Sequence, residues 1–197
     1  MSDRKLPRNL DNPIDNIIIN YGRKLYPTYK KLNFTPNTLT TISFILSLIS
    51  SFLFIKKYYL LSSICYIISY SYDAFDGNYA RTYNMVTEFG DYYDHIKDLI
   101  CGIIFLIIFI KYNKLSKITK HLSYFISFIL LLLGCINLGI QEIYVSKHNS
   151  KNKSNYLSFL TKFTNNKFIL KNKNILKYFG IGTFNVFVSL VILLNSF

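Results

Sequence analysis

The chain has 197 residues, of which 51% are hydrophobic, and a mean hydropathy of +0.24; these values exclude a disordered chain and argue against an ordinary water-soluble domain. Lysine and arginine number 23 against 10 aspartate and glutamate, a formal charge of +13. The basic residues lie between long apolar runs, so the charge suits a membrane protein beside anionic head groups, and no nucleic-acid partner is expected. Cys65, Cys101 and Cys135 each sit inside an apolar run without metal-ligand spacing. They read as small buried hydrophobes.

Residues 1–36 are polar and basic and lack the apolar core of a cleavable signal peptide. Asn12-Pro13-Ile14-Asp15 marks a helix start. Residues 17–26 mix Ile17, Ile18, Ile19, Leu25 and Tyr26 with Arg23 and Lys24. That pattern fits a helix lying on a membrane surface, or a short soluble amphipathic helix. Five apolar segments follow, at 39–55, 58–72, 90–112, 122–140 and 178–197. The third reaches roughly 35 Å at about 1.5 Å per residue, enough to cross. Residues 156–170 are apolar in places but broken by Lys162, Asn165, Asn166 and Lys167, which leaves a poor spanning helix or an interfacial one. Residues 147–155 read as a loop. The expectation is an all-α, multi-pass transmembrane bundle of five to six helices with an N-terminal interfacial amphipathic helix. A cytosolic segment, 1–36, precedes the transmembrane domain, 37–197.

With the N-terminus inside and alternate crossings, 17 basic residues fall on the cytosolic side and 6 on the other. The basic bias puts the N-terminus, and the junction between the second and third helices, in the cytosol.

That junction carries the chemistry. Six of the 10 acidic residues (Asp73, Asp76, Glu88, Asp91, Asp94 and Asp98) fall in one 26-residue window, together with both alanines of the chain and its last arginine. Asp73, Asp76, Gly77, Ala80 and Arg81 step along one helical face, and Gly90, Asp94 and Asp98 along another. The eight residues between Arg81 and Gly90 let the two faces meet as an antiparallel pair, with four carboxylates at the membrane surface beside small residues. Bare carboxylates at that range repel one another, and a bound divalent cation relieves the conflict. All-oxygen ligation suits magnesium, calcium or manganese and disfavours zinc. Two ions on four aspartates would polarise a phosphoryl group and steady a leaving phosphate. A solvated acidic turn is the plainer reading, but it needs no small residues on the same stripes. Glu88 and Asp91 read as loop charges, and His95 as a neighbour of the site.

At these positions the chain resembles the CDP-alcohol phosphotransferases, membrane enzymes that make phospholipids by displacing CMP from a CDP-alcohol. Asp73-x2-Asp76-Gly77-x2-Ala80-Arg81-x8-Gly90-x3-Asp94-x3-Asp98 agrees with that family's signature at all eight fixed positions. The lead-in Thr35-Pro36-Asn37-Thr38-Leu39-Thr40 is similar to its usual opening. The resemblance implies that Asp73, Asp76 and Asp94 bind a first metal and that Asp98 joins in holding a second, magnesium or manganese. Asp94 and Asp98 are the implied catalytic residues, with Asp98 as general base toward the acceptor hydroxyl. Gly77, Ala80 and Gly90 would pack against the cytidine nucleotide, Arg81 would meet its phosphates, and Asn37 and Thr38 would flank it. The implied partners are a CDP-alcohol, a lipid or small alcohol acceptor, membrane lipids, and a second copy of the chain in a homodimer.

Two branches of the family stay open. Asp73-Ala74-Phe75-Asp76-Gly77 with Phe89-Gly90 is similar to members that use CDP-diacylglycerol and a water-soluble alcohol. Tyr93-Asp94-His95 with Asp98 is similar to members that join CDP-choline or CDP-ethanolamine to diacylglycerol. Leu99 stands where the inositol type often carries arginine. The alternative from another class is a non-catalytic cation-binding or transport protein with the aspartates as ion ligands. Such a carrier should spread its acids along mid-membrane positions, whereas here they gather at one end. A membrane prenyltransferase needs two separated aspartate motifs and more helices.

Overall fold

The computed structural model describes residues 6–148 and 157–197, which form helices and short connections with no strand among them. Helix α1 (Pro13–Lys31) begins where the sequence places it: Asn12 Oδ1 accepts from the Ile14 amide at 2.9 Å and Pro13 fills the first turn. Asp15 in the first turn and Lys30 and Lys31 in the last complement the helix dipole. The helix buries Gly22, Tyr26 and Tyr29 and leaves Ile17 and Tyr21 exposed.

The buried face of α1 docks on α3 (Tyr59–Thr82). The ring of Phe75 occupies the space that a Cβ on Gly22 would need. Tyr26 meets Phe75 and Tyr79 edge-on, with centroids 6.2 and 5.4 Å apart. At the other end, Asn12 Nδ2 donates to the Lys177 carbonyl at 2.7 Å and to Thr183 Oγ1 at 3.0 Å, while the Tyr70 hydroxyl donates to Asp15. The expected surface helix is thus clasped by protein along one side.

Helix α2 (Pro36–Ile55) opens with a capping box between Thr35 and Thr38. It packs along α3 through serines. Ser50 Oγ donates to the Ser62 carbonyl and Ser62 Oγ to the Ser50 carbonyl, both at 2.8 Å, and Ser69 Oγ donates to the Ser43 carbonyl at 2.8 Å. Ser63 Oγ reaches the Ser189 carbonyl at 3.0 Å on α9 (Ile181–Leu194). Small side chains let apolar helices approach closely, and each hydroxyl finds a backbone acceptor across the seam. Averaged hydropathy hides these serines inside the apolar runs.

Helix α4 (Glu88–Tyr112) leans on α2, with Thr41 Oγ1 and Tyr93 OH 3.0 Å apart, rather than lying flat against α3 as the spacing suggested. Leu99, Ile103, Leu106 and Ile107 on α4 and Phe125 and Phe128 on α5 (Lys117–His148) are exposed apolar side chains, the kind that lipid covers. Pro36–Ile55, Lys117–Lys147 and Lys173–Leu194 are long and apolar enough to cross a membrane. Helices α3 and α4 are of similar length, 24 and 25 residues, with their acidic residues gathered toward the turn that joins them.

Among the described residues of the 156–170 segment there is no spanning helix. From Leu157 they give a 3-10 turn and two five-residue helices, α6 (Leu160–Thr164) and α7 (Lys167–Lys171), with α6 packed on α5. Five residues extend only about 7.5 Å. The break falls at Asn165-Asn166, where Asn166 Oδ1 caps α7 by accepting from the Phe168 amide at 2.9 Å. Helix α8 (Lys173–Leu176) and a second 3-10 turn lead into α9. Most of the 147–155 loop lies outside the described residues. The three cysteines are free and half-buried.

Candidate active site

The site is built from the last turns of α3, the first turns of α4 and the start of α2. Thr87 caps α4, its Oγ1 accepting from the Gly90 amide at 3.0 Å, and so fixes where the Asp94 and Asp98 stripe begins. Asp76 is 5% exposed, and Thr40 Oγ1 donates to its Oδ2 at 2.5 Å. Asp73, Asp76 and Asp94 each present a carboxylate oxygen, the three within 4.8 Å of one another.

These residues suit a divalent ion. The donors are all hard oxygens, and Asp94 Oδ1 is buried with only the Lys97 ammonium, 3.3 Å away, as a counter-charge. Carboxylates gathered this closely repel one another unless cations compensate them, and one ammonium does not balance three carboxylates. Asp98 adjoins this trio through a side-chain hydrogen bond with Asp73. Its side chain is 55% exposed, and its Oδ1 lies 2.7 Å from Lys97 Nζ.

The sequence reading missed Lys97 as a site residue. It is 4% exposed, and its ammonium pairs with Asp73 and Asp98 and lies 3.3 Å from Asp94 Oδ1. As the only basic residue between Asp94 and Asp98, three positions from one and adjacent to the other, it was legible as a local counter-charge. Thr40 was quoted only as part of the lead-in, and its hydroxyl turns out to hold Asp76.

The other sequence-predicted residues surround the carboxylates. A Cβ on Gly90 would lie 3.2 Å from Asn37 Oδ1, so those two residues are neighbours across α2 and α4. A Cβ on Gly77 would lie 3.3 Å from Arg81 Nη1, one turn along α3, and Ala80 is buried beside them. Thr38 commits its hydroxyl to the capping box, 2.9 Å from Thr35 Oγ1. His95 Nδ1 lies 3.8 Å from Asp94 Oδ2 and 4.0 Å from Asp91 Oδ1, at the margin of the cluster.

A partly open cavity of about 830 Å³ runs from the carboxylates among α2, α3, α4, α5 and α9. Asp73, Lys97 and Asp98 line one end, and Phe105, Phe109 and Val188 line the rest with other apolar side chains. An apolar trough with charge at one end suits an amphiphile.

Residues 33–195 match the CDP-alcohol phosphatidyltransferase family, and the chain belongs to it. With its apolar helices, that membership makes it an integral membrane protein. Among curated proteins it is similar to the CDP-diacylglycerol--inositol 3-phosphatidyltransferase of Drosophila melanogaster, at 37% identity over 79 residues. The match covers 40% of this chain and 34% of that protein, so only about a third of the relative's length is represented. No solved structure matches.

Proposed function

We propose that the chain transfers a phosphatidyl group from CDP-diacylglycerol to the hydroxyl of a water-soluble alcohol and releases CMP. The observation that carries the reading is the convergence of Asp73, Asp76 and Asp94 beside an apolar cavity whose charged end is lined by Asp73, Lys97 and Asp98. From Lys97 to Ile110 the cavity wall runs about 20 Å along α4, the reach of a long acyl chain. The name of the insect relative supports CDP-diacylglycerol as donor, with inositol as the first acceptor to try.

In this reading Asp73, Asp76 and Asp94 hold magnesium or manganese. The ion, when bound, supplies Lewis-acid charge to phosphoryl oxygens. Asp98, at the open charged end, takes the proton from the acceptor hydroxyl. The acceptor oxygen bonds to the phosphorus that carries the diacylglycerol, and the bond from that phosphorus to the CMP oxygen breaks in line with it. Arg81 meets the diphosphate, while Gly77, Ala80 and Gly90 leave room for the nucleotide beside Asn37 and Thr38. The site faces the cytosol, as the basic bias of the loops supports.

The test is CMP release by the purified chain in micelles, with manganese or magnesium, CDP-diacylglycerol and a panel of inositol, serine and glycerol 3-phosphate. Release that needs both metal and an acceptor is expected. Turnover only with CDP-choline or CDP-ethanolamine and diacylglycerol would overturn the donor assignment. Ion binding without turnover on either panel would favour a non-catalytic cation-binding protein.

A further inference from the structure

Below the carboxylates the cavity wall is mostly apolar, yet a polar pair is set into it. Tyr66, Tyr70 and Asp73 step along one face of α3, and all three line the cavity. Asn185, in the second turn of α9, lines it as well. The Tyr66 hydroxyl donates to Asn185 Oδ1 at 2.8 Å, and Asn185 Nδ2 donates to the Ile181 carbonyl at 3.0 Å. These bonds fix the amide plane and use one of the two Nδ2 hydrogens, which leaves the other as a donor. Tyr70 and Ser69, on the same wall, spend their hydroxyls on Asp15 and on the Ser43 carbonyl. Polar side chains at such a depth in an apolar bundle are costly, and those that face a cavity mark a substrate path.

The depth of the pair is informative. Tyr66 lies seven residues before Asp73, about 10 Å along the helix. In a diacylglycerol phosphate the two ester carbonyls hang from the glycerol carbons, between the phosphorus and the acyl chains. With the phosphorus at the carboxylates and the chains against Phe109 and Val191, those carbonyls fall at the level of Asn185.

We propose that Asn185 donates a hydrogen bond to an ester carbonyl of the donor lipid, with Tyr66 as the positioning residue that orients the amide, so that the site selects ester-linked over ether-linked chains. The inference rests on the donor assignment above. An ether lipid offers no carbonyl at that height and leaves the Asn185 donor unpaired in an apolar wall, which costs binding.

Comparing CDP-diacylglycerol with a CDP-dialkylglycerol of equal chain length tests it, by CMP release from the full chain in micelles. The diether keeps the head group and both chains and lacks only the carbonyls. The wild type is expected to favour the diester ~10-fold in kcat/KM, the scale of one hydrogen bond whose donor is left unpaired. In Asn185→Leu the preference should fall to near unity, with the loss on the diester in KM rather than kcat. Tyr66→Phe keeps the ring that packs on Phe105, with centroids 5.4 Å apart, and its preference should fall as well. A wild type indifferent to the linkage, or a preference that Asn185→Leu leaves intact, overturns the proposal. If Asn185→Leu does not fold, Tyr66→Phe decides by the same ratio. A merely structural role for the pair would slow both lipids alike and keep the ratio. Failure of the donor assignment looks different. No turnover of either CDP-linked lipid with any acceptor removes both readings, whereas turnover without a linkage preference removes only the part given to Asn185 and Tyr66.

Discussion

Thr40 Oγ1 lies 2.5 Å from Asp76 Oδ2, so the second turn of α2 supplies the hydrogen bond that a buried carboxylate on α3 requires. Asp76 is 5% exposed, and its chain neighbours Phe75 and Gly77 offer it no side-chain donor. Losing the Thr40 hydroxyl leaves that oxygen unsatisfied. Hydrogen bonds to charged groups are worth about 1.5–3 kcal/mol. Thr40→Val is therefore expected to lower the unfolding temperature measurably in micelles, while Thr40→Ser keeps it. Equal stability of the valine variant and the wild type would show that Asp76 does not depend on this bond.

Asp94 and Asp98 should fail in different ways. Each to asparagine is expected to reduce CMP release by at least ~100-fold, the scale of a positioned acid or base. Asp94→Asn also removes a ligand oxygen, so manganese binding should weaken with it. Asp98→Asn should leave the ion bound and only the turnover lost. Parallel activity and manganese titrations on the two variants separate the roles, and full CMP release from either one would remove that residue from the machinery.

The helices and the acidic stripes were legible because they rest on local rules. Asn12-Pro13 caps α1, Thr35 and Thr38 box the start of α2, and Asp73, Asp76, Asp94 and Asp98 repeat at helical spacing. What stayed hidden depends on partners distant in sequence. The pairing of Ser63 with Ser189 spans 126 positions, and Asn12 with Lys177 spans 165. Nothing in either local stretch announces the other. Lys97 was hidden differently. Counted as a loop charge for topology, it is a buried cation, because three aspartates make its burial tolerable. The 156–170 segment stayed ambiguous since hydropathy alone does not weigh the capping action of Asn166 against the apolar residues around it.

Gly22 is the contact through which α1 could influence the site. Phe75 fills the space over it and lies between Asp73 and Asp76 on α3. Gly22→Val forces the ring or the helix to move, and overpacking of this kind costs about 1–3 kcal/mol. The expected outcome is a lower unfolding temperature together with slower CMP release, though the residue touches no aspartate. A Gly22→Val variant with full activity and stability would show that α1 is not clamped on α3 as described.

Asp15 gives the fold a pH dependence whose sign is fixed by its surroundings. It lies on α1, where burial against α3 and α9 pushes its carboxyl up to about 7, although the hydrogen bonds from Tyr70 and the Gly182 amide pull the other way. Asp11 and Asp73 add to the rise. In the unfolded chain the same carboxyl titrates near 4. Between those values the folded protein holds the proton more tightly than the unfolded chain, so this group favours folding at low pH and loses that contribution as pH climbs toward 7. Comparing the wild type with Asp15→Asn isolates the effect, because the amide does not titrate. The difference in unfolding temperature, wild type minus variant, should fall from pH 5 to pH 8 and level off above that. A difference that is flat, or that grows with pH, would mean that Asp15 is ionised in the folded protein throughout, and that its contact with Tyr70 is made by the carboxylate.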